Sequence, residues 1–417
     1  MVDARGLLRS SCGGVTPRRR VPRKVGGALV ALGLATAPLL AASPANADAN
    51  SQWALNYLKY SQVSALSTGS GVTVGLIDSG VKPISNITSQ LVVGADFTGG
   101  VVNTSSIGNG EQDTDSEGHG NGMASVIAGQ GQPVQGLAPQ TKIMPIRDML
   151  TSGLMGGPNS AASSVQYAVG QHVQVINISQ GWADSQAEQT AIANAVHANI
   201  VVVVAVGNSG TTVTSDSSPA PADYPGVVDV SAIDQSGAVA SFSDYGPQVT
   251  LAAPGVSILN DQAYANDTTN ASGTSPAAAY VSATAALIFS EHPTWTAGQV
   301  IRDMIDTADP GAGQTAGQHD DHYGYGIIDP LKALQAAAPA ETTNPLLAAA
   351  TTAPTSANST VPANNSTVAA PAASSSSGSS TLLVILGVLV VLVVAVVVLI
   401  LARRGKNGAS GRGGSLQ

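Results

Sequence analysis

Four polar residues in glycine-rich or small-residue surroundings are candidates for chemistry: Asp78, His119, Asn208 and Ser275. A carboxylate, an imidazole and a hydroxyl together can activate a nucleophile. The hydroxyl attacks, the imidazole takes its proton, and the carboxylate orients the ring and stabilises its charged form. Asn208 adds an amide N–H₂ able to receive charge developing on an acyl oxygen, with the Ser275 backbone N–H as second donor.

Taken singly, each has an ordinary structural explanation. Asp78 directly follows Val72-Thr73-Val74-Gly75-Leu76-Ile77, where an acid commonly caps a turn or a helix. His119 stands in Gly118-His119-Gly120-Asn121-Gly122, whose glycines allow close backbone packing and present the imidazole at a helix start. Lone histidines are mostly surface or satisfied core residues. His172, His197, His292, His319 and His322 lack such surroundings and are assigned structural roles. Ser275 lies in Ser272-Gly273-Thr274-Ser275-Pro276-Ala277-Ala278-Ala279; Pro276 suits a first helical turn, and a helix cap there can be Ser275, Thr274 or Ser272. Asn208, in Val206-Gly207-Asn208-Ser209-Gly210, is compatible with a plain turn.

These residues need elements to hold them together. Short β-branched runs at Val72–Ile77, Lys142–Arg147, Val173–Ile178, Ile200–Val206 and Val227–Ile233 alternate with small-residue helical stretches at about 119–129, 160–170, 186–198, 275–290 and 297–307. The run Ile200–Val206 is apolar throughout, as a strand covered on both faces is. Such alternation predicts an α/β fold, a mainly parallel sheet with helices on both faces. Ligands of such sheets bind at the carboxyl ends of strands, where Asp78 and Asn208 fall.

Composition narrows the class. Of 17 Lys and Arg, only six lie between residues 48 and 402, against 25 of the 26 acids. A domain this acidic repels nucleic acid and anionic headgroups. The single cysteine, Cys12, precedes the first apolar run, so the rest of the chain has no disulfide, thiolate site or cysteine nucleophile. Nothing implies an organic cofactor. Two acidic groups, Asp113/Asp115/Glu117 and His319-Asp320-Asp321-His322, are of metal-ligating type. Neither matches a full ligand pattern, and both are expected to be solvated loops without metal.

The termini have their own signals. Residues 1–47 form a basic stretch, an apolar run and Ala45-Asn46-Ala47, which predicts an export signal cleaved after Ala47. Residues 338–380 are nearly all Ala, Ser, Thr, Pro and Asn, a composition expected for a disordered stalk after a folded domain of 48–337. Residues 381–402 are apolar and long enough to span a bilayer. Arg403, Arg404 and Lys406 in the 403–417 tail then predict a cytoplasmic C-terminus, with the folded domain outside.

The order Asp, His, Ser with these flanks resembles the subtilisin superfamily, which carries its triad in this chain order. The likeness extends over about 55–335 and includes Gly136-Leu137-Ala138-Pro139, Ile176-Asn177-Ile178-Ser179, Ala240-Ser241-Phe242-Ser243-Asp244-Tyr245-Gly246 and Leu251-Ala252-Ala253-Pro254-Gly255. Gln52-Trp53-Ala54, the stalk and the single C-terminal span look most like the mycosins, membrane-anchored proteases of type VII secretion. The resemblance implies a three-layer fold and a serine endopeptidase with Asp78, His119 and Ser275 as triad and Asn208 at the oxyanion. Ser179, Gln180 and Gly181, with Ala205, Val206 and Gly207, then line a cleft pairing with extended polypeptide. It also implies association with a membrane secretion complex; the short stretch between Ala47 and the strand at Val72 does not fit a folded inhibitory prodomain, which with the anchor favours limited processing. The competing expectation is a structural subunit of such a complex with idle or secondary protease activity. Asn121, Pro276 and Gln180 depart from the family pattern, where Thr, an apolar or Met residue, and Leu are usual.

Overall fold

A computed structural model describes residues 52–350, apart from 100–105, 152–153, 156, 158, 214–219 and 264–266. The expected signal (1–47), span (381–402) and tail (403–417) lie outside the described residues. Among the described residues, no helix is long and apolar enough to cross a membrane.

The chain begins with two short helices, α1 (Trp53–Tyr57) and α2 (Tyr60–Val63), and then enters strand β1 (Thr73–Asp78). Next come β2 (Ala95–Asp96), α3 (His119–Ala128), β3 (Lys142–Arg147) and a small hairpin, β4 (Met149–Thr151) with β5 (Leu154–Met155). Helices and strands then alternate: α4 (Ser160–Gly170), β6 (Val175–Ile178), α5 (Gln186–His197), β7 (Val201–Ala205), β8 (Val228–Ile233) and β9 (Val249–Pro254). A second hairpin, β10 (Ile258–Asp261) and β11 (Thr268–Ala271), leads into α6 (Thr274–Glu291), followed by α7 (Ala297–Thr307), α8 (Pro330–Gln335) and α9 (Pro345–Ala350).

Seven strands form one sheet in the order β2-β3-β1-β6-β7-β8-β9, and every pairing in it is parallel. The five strands and five helices expected from the sequence are all present, with ends moved by at most two residues. The central run shows why. In β7, Val201, Val203 and Ala205 join the core on the side of α6 and α7, whereas Val202 and Val204 join the core on the side of α5. Successive side chains point to opposite faces, so only an apolar residue at every position serves a strand covered twice.

Helix α6 is buried from Thr274 to Phe289. Its alanines at 277, 278, 279, 283, 285 and 286 keep it slim enough to lie against β6 to β9. The amphipathic α7 starts with a capping box, in which the Thr296 hydroxyl accepts from the Gln299 N–H and the Gln299 side chain returns to the Thr296 N–H.

The boundary expected at 337 is corrected. Ordered contacts run on to α9: Gln299 Nε2 donates to the Pro339 carbonyl, Thr296 Oγ1 to the Thr342 carbonyl, and Asn344 Nδ2 to the Gly226 carbonyl. This segment is held through its backbone carbonyls, one amide side chain and Leu346, which packs against the main core; composition alone does not reveal these partners.

Candidate active site

Strand order reverses at β1. The chain goes to one side of it for β2 and β3, then crosses to the other for β6 and beyond. The carboxyl ends of β1 and β6 therefore flank a switch-point crevice. Ile77 pairs with Ile178, so the next residues, Asp78 and Ser179, stand side by side at its floor.

Asp78 is fully buried. Its Oδ1 accepts from the Ser79 N–H at 2.7 Å and lies 2.7 Å from His119 Nδ1. His119 opens α3, and Gly120 lets that helix approach β1: a Cβ on Gly120 would sit 1.9 Å from the Gly80 carbonyl oxygen. Asp78 Oδ2 is buried without a hydrogen-bond partner among the described residues. Burial of the imidazole disfavours its charge. Asp78, with Asp115 and Asp113 beyond it, outweighs that and pushes the His119 pKa up to about 9.

Ser275 follows Thr274 in the first turn of α6. The helix cap is Gly273, so the Ser275 side chain is not spent on capping. Its hydroxyl donates to the Ser179 carbonyl at 3.0 Å, while the Ser179 hydroxyl donates to the Ser275 carbonyl at 3.2 Å. The nucleophile candidate is thus fastened to the residue beside Asp78. In this structure no hydrogen bond joins the Ser275 hydroxyl to His119; the hydroxyl rests on Ser179 instead.

Asn208 lies three residues beyond β7 at the same sheet edge. Thr274 N–H and Oγ1 donate to Asn208 Oδ1 at 2.8 and 3.0 Å. That fixes the amide's acceptor side and leaves its N–H₂ with no protein acceptor among the described residues. Such an amide can donate to an incoming carbonyl oxygen.

Of the expected cleft residues, Gly181 and Gly207 are at least partly exposed, and Ser179 and Ala205 are buried behind them. Val206 is fully buried in a small cluster with Val213 and Val249. The Gln180 side chain turns inward, and Nε2 donates to both Asp148 oxygens at 2.8 and 2.9 Å. Asp148 is itself buried after β3, with its N–H on the Asp78 carbonyl. Burial raises its pKa well above the usual carboxylate range, against the hydrogen bonds from Gln180.

Sequence reasoning overlooked Asp148, Thr274, Ser79 and Arg147 as contributors. The available signal was position, since Arg147 ends β3, Asp148 follows it, and Ser79 and Thr274 each adjoin a triad candidate. Asn121 grips the Lys82 backbone with both ends of its amide, at 2.8 Å each. Asp113 is a link rather than a lone acid: its oxygens accept from the Ser79 hydroxyl and from the Asp115 and Asn121 N–H groups. Burial pushes its pKa up to about 6, opposed by the bonds from Asn121 and Ser79. No group of three or more His, Cys, Asp or Glu among the described residues is arranged to hold a metal ion.

Residues 69–326 match the subtilase family of peptidases. Subtilisin DY of Bacillus licheniformis is 33% identical over 270 residues, covering 64% of this chain and 92% of its own length. Mycosin-1 of Mycolicibacterium smegmatis is 31% identical over 348 residues, covering 70% of this chain and 74% of that protein. The crystal structure of MycP1 from Mycobacterium smegmatis superposes with a TM-score of 0.60 at 30% identity, covering 70% of this chain and 87% of that one. With this sheet, this crevice and these matches, the chain belongs to the subtilase family and is a subtilisin-like serine protease, with mycosins among its relatives.

Proposed function

We propose that the protein is an endopeptidase that cleaves through an acyl-enzyme, with Ser275 as nucleophile, His119 as general base and Asp78 as its orienting carboxylate. The observation that carries this is the 2.7 Å contact between His119 Nδ1 and Asp78 Oδ1, beside a Ser275 hydroxyl anchored on the adjoining strand end. With Nδ1 engaged by Asp78, Nε2 is the basic nitrogen. A turn about the Ser275 Cα–Cβ bond moves its hydroxyl from the Ser179 carbonyl toward that nitrogen. The hydroxyl then attacks the scissile carbonyl, His119 takes the proton and returns it to the leaving amine, and water repeats the sequence to release the acyl group. Asn208 Nδ2 and the Ser275 N–H receive the oxyanion. The backbone of Ser179–Gly181 and of Ala205–Gly207 accepts an extended polypeptide as added β-structure.

The apolar run at 381–402 and the basic residues after it support a single-pass anchor with the protease domain outside the cytoplasmic membrane. A signal at 1–47 and a stalk that starts beyond α9 complete that arrangement. Likeness to mycosin-1, and to the crystal structure of MycP1 from the ESX-1 type VII secretion system, supports limited processing tied to secretion. The test is peptide cleavage by purified wild type and Ser275→Ala. Equal rates overturn the assignment.

A second reading, a structural subunit whose protease activity is idle or secondary, draws on the Ser275 hydroxyl resting on Ser179. A fluorophosphonate probe separates the two. Labelling at Ser275 requires an activated hydroxyl, and its absence in folded protein favours the structural role.

A further inference from the structure

We propose that Asp244 is a positioning residue for the reaction: it shapes the 207–211 turn so that the Asn208 amide faces the acyl oxygen, an inference that rests on the oxyanion role proposed above. Asn208 is exposed, so packing does not hold it. Two sets of hydrogen bonds do. From α6, Thr274 occupies Asn208 Oδ1 through its N–H and its hydroxyl. From the loop between β8 and β9 comes Asp244, 3% exposed. Its Oδ1 accepts from the Ser209 N–H at 3.0 Å, the Thr211 N–H at 2.9 Å and the Thr211 hydroxyl at 3.3 Å. Its own N–H donates to the Gly207 carbonyl at 3.0 Å.

The chain on either side of Asn208 is therefore tied to one residue. The fit is close: a Cβ on Gly207 would lie 2.1 Å from Asp244 Oδ2, and the Gly207 φ of +122° also excludes most side chains. The Gly207 N–H in turn donates to Thr274 Oγ1 at 3.2 Å. Asp244, Gly207, Asn208 and Thr274 thus form one frame, and Thr274 is the residue before Ser275. The frame gives the nucleophile helix and the oxyanion donor a common reference, although Asp244 touches no reacting atom.

Donors of this kind act in proportion to their preorganisation, because an amide that must be ordered during the reaction loses part of its effect to entropy. A displacement of about 1 Å in a positioned group can cost on the order of 10²-fold. The test is a double-mutant cycle on the purified full chain with a peptide substrate. Asn208→Ala is expected to lower kcat by ~10²–10³. Asp244→Ala is expected to lower kcat by up to about 10²-fold with KM little changed. Their combination should be no slower than Asn208→Ala alone, since a misplaced donor that is already absent has nothing left to lose. Asp244→Asn, whose Oδ1 can accept from the same three donors, should restore most of the loss.

Thermal melting accompanies each variant. Should Asp244→Ala be unfolded at the assay temperature, Asp244→Ser replaces it in the cycle, its hydroxyl being too short to span both amides. Multiplicative losses in the double variant, or an Asp244→Asn protein as slow as Asp244→Ala, overturn the positioning role. Wild-type kcat in Asn208→Ala would instead bring down the oxyanion reading, and the proposal for Asp244 with it.

Discussion

On the β1–α3 side of the cleft, the polar groups are tied to one another. Asp78 holds His119, Ser79 bridges Asp78 and Asp113, and Asp113 reaches the Asn121 N–H on the His119 helix. Arg147 closes the network from β3. Its Nε donates to the Ser79 carbonyl, Nη1 to Asp96 and Thr98, and Nη2 to Thr114. On the β7–α6 side, the frame is equally bonded, but its working groups are left open. The Asn208 N–H₂ has no protein acceptor among the described residues, and the Ser275 hydroxyl makes a single bond that a rotation can release. The half that handles a proton is assembled before substrate arrives, since its partners are all protein groups. The half that handles the acyl group keeps donors uncommitted, since the substrate must supply the acceptor.

The largest effect should come from the point where the halves meet. Ser275→Ala is expected to lower kcat by ~10⁶ with the fold intact, read by peptide hydrolysis beside a thermal melt; residual turnover near wild type would separate the halves altogether. Next, Arg147→Met leaves the buried Asp96 carboxylate without the guanidinium that donates to it at 2.7 Å. Breaking such a pair costs about 3–5 kcal/mol, so denaturant unfolding should show a large loss of stability. If stability is unchanged, the β1–α3 network is not what holds that side.

Asn208→Ala touches only the open half. It should lower kcat by ~10²–10³ without shifting the pH profile; a moved profile would mean that the halves share their electrostatics. The smallest effect distinguishes the halves by pH. Because His119 is raised to about 9, it is protonated and unable to accept a proton well below that pH. kcat/KM should therefore climb with rising pH toward about 9. Asp113 is ionised above its own pKa of about 6 and adds to the charge favouring the imidazolium. Asp113→Asn should then move the rising limb to lower pH. A limb that stays put, or moves upward, would detach Asp113 from the catalytic histidine.

How much could be read beforehand depended on the kind of constraint. The valine-rich β7 and the alanine-rich α6 were legible because burial on both faces demands apolar or small residues at every position. The glycines around His119 were legible because a close backbone approach excludes a Cβ. Asp244 belonged to a recognised family motif, yet its task was hidden, because the groups it holds lie far away in the chain. Gln180 was read as a cleft residue from its place beside Ser179; that a buried carboxyl after β3 draws its side-chain amide inward is recorded by no local pattern. The expected end of the domain at 337 was too early for a related reason: carbonyls beyond it are captured by Gln299 and Thr296 side chains, and Leu346 packs on the core.

Local sequence sufficed for five strands of the main sheet and five helices, and for the candidate carboxylate, base and nucleophile, but not for β2, β9 or the two hairpins. Each of those follows from residue type and near-neighbour spacing. Tertiary structure decided which side chains meet: Asp78 with His119, Ser275 with Ser179, Thr274 with Asn208, Asp148 with Gln180. The physical reason is that a hydrogen bond depends on distances of about 3 Å and on direction, and between residues far apart in the chain only the assembled sheet sets these.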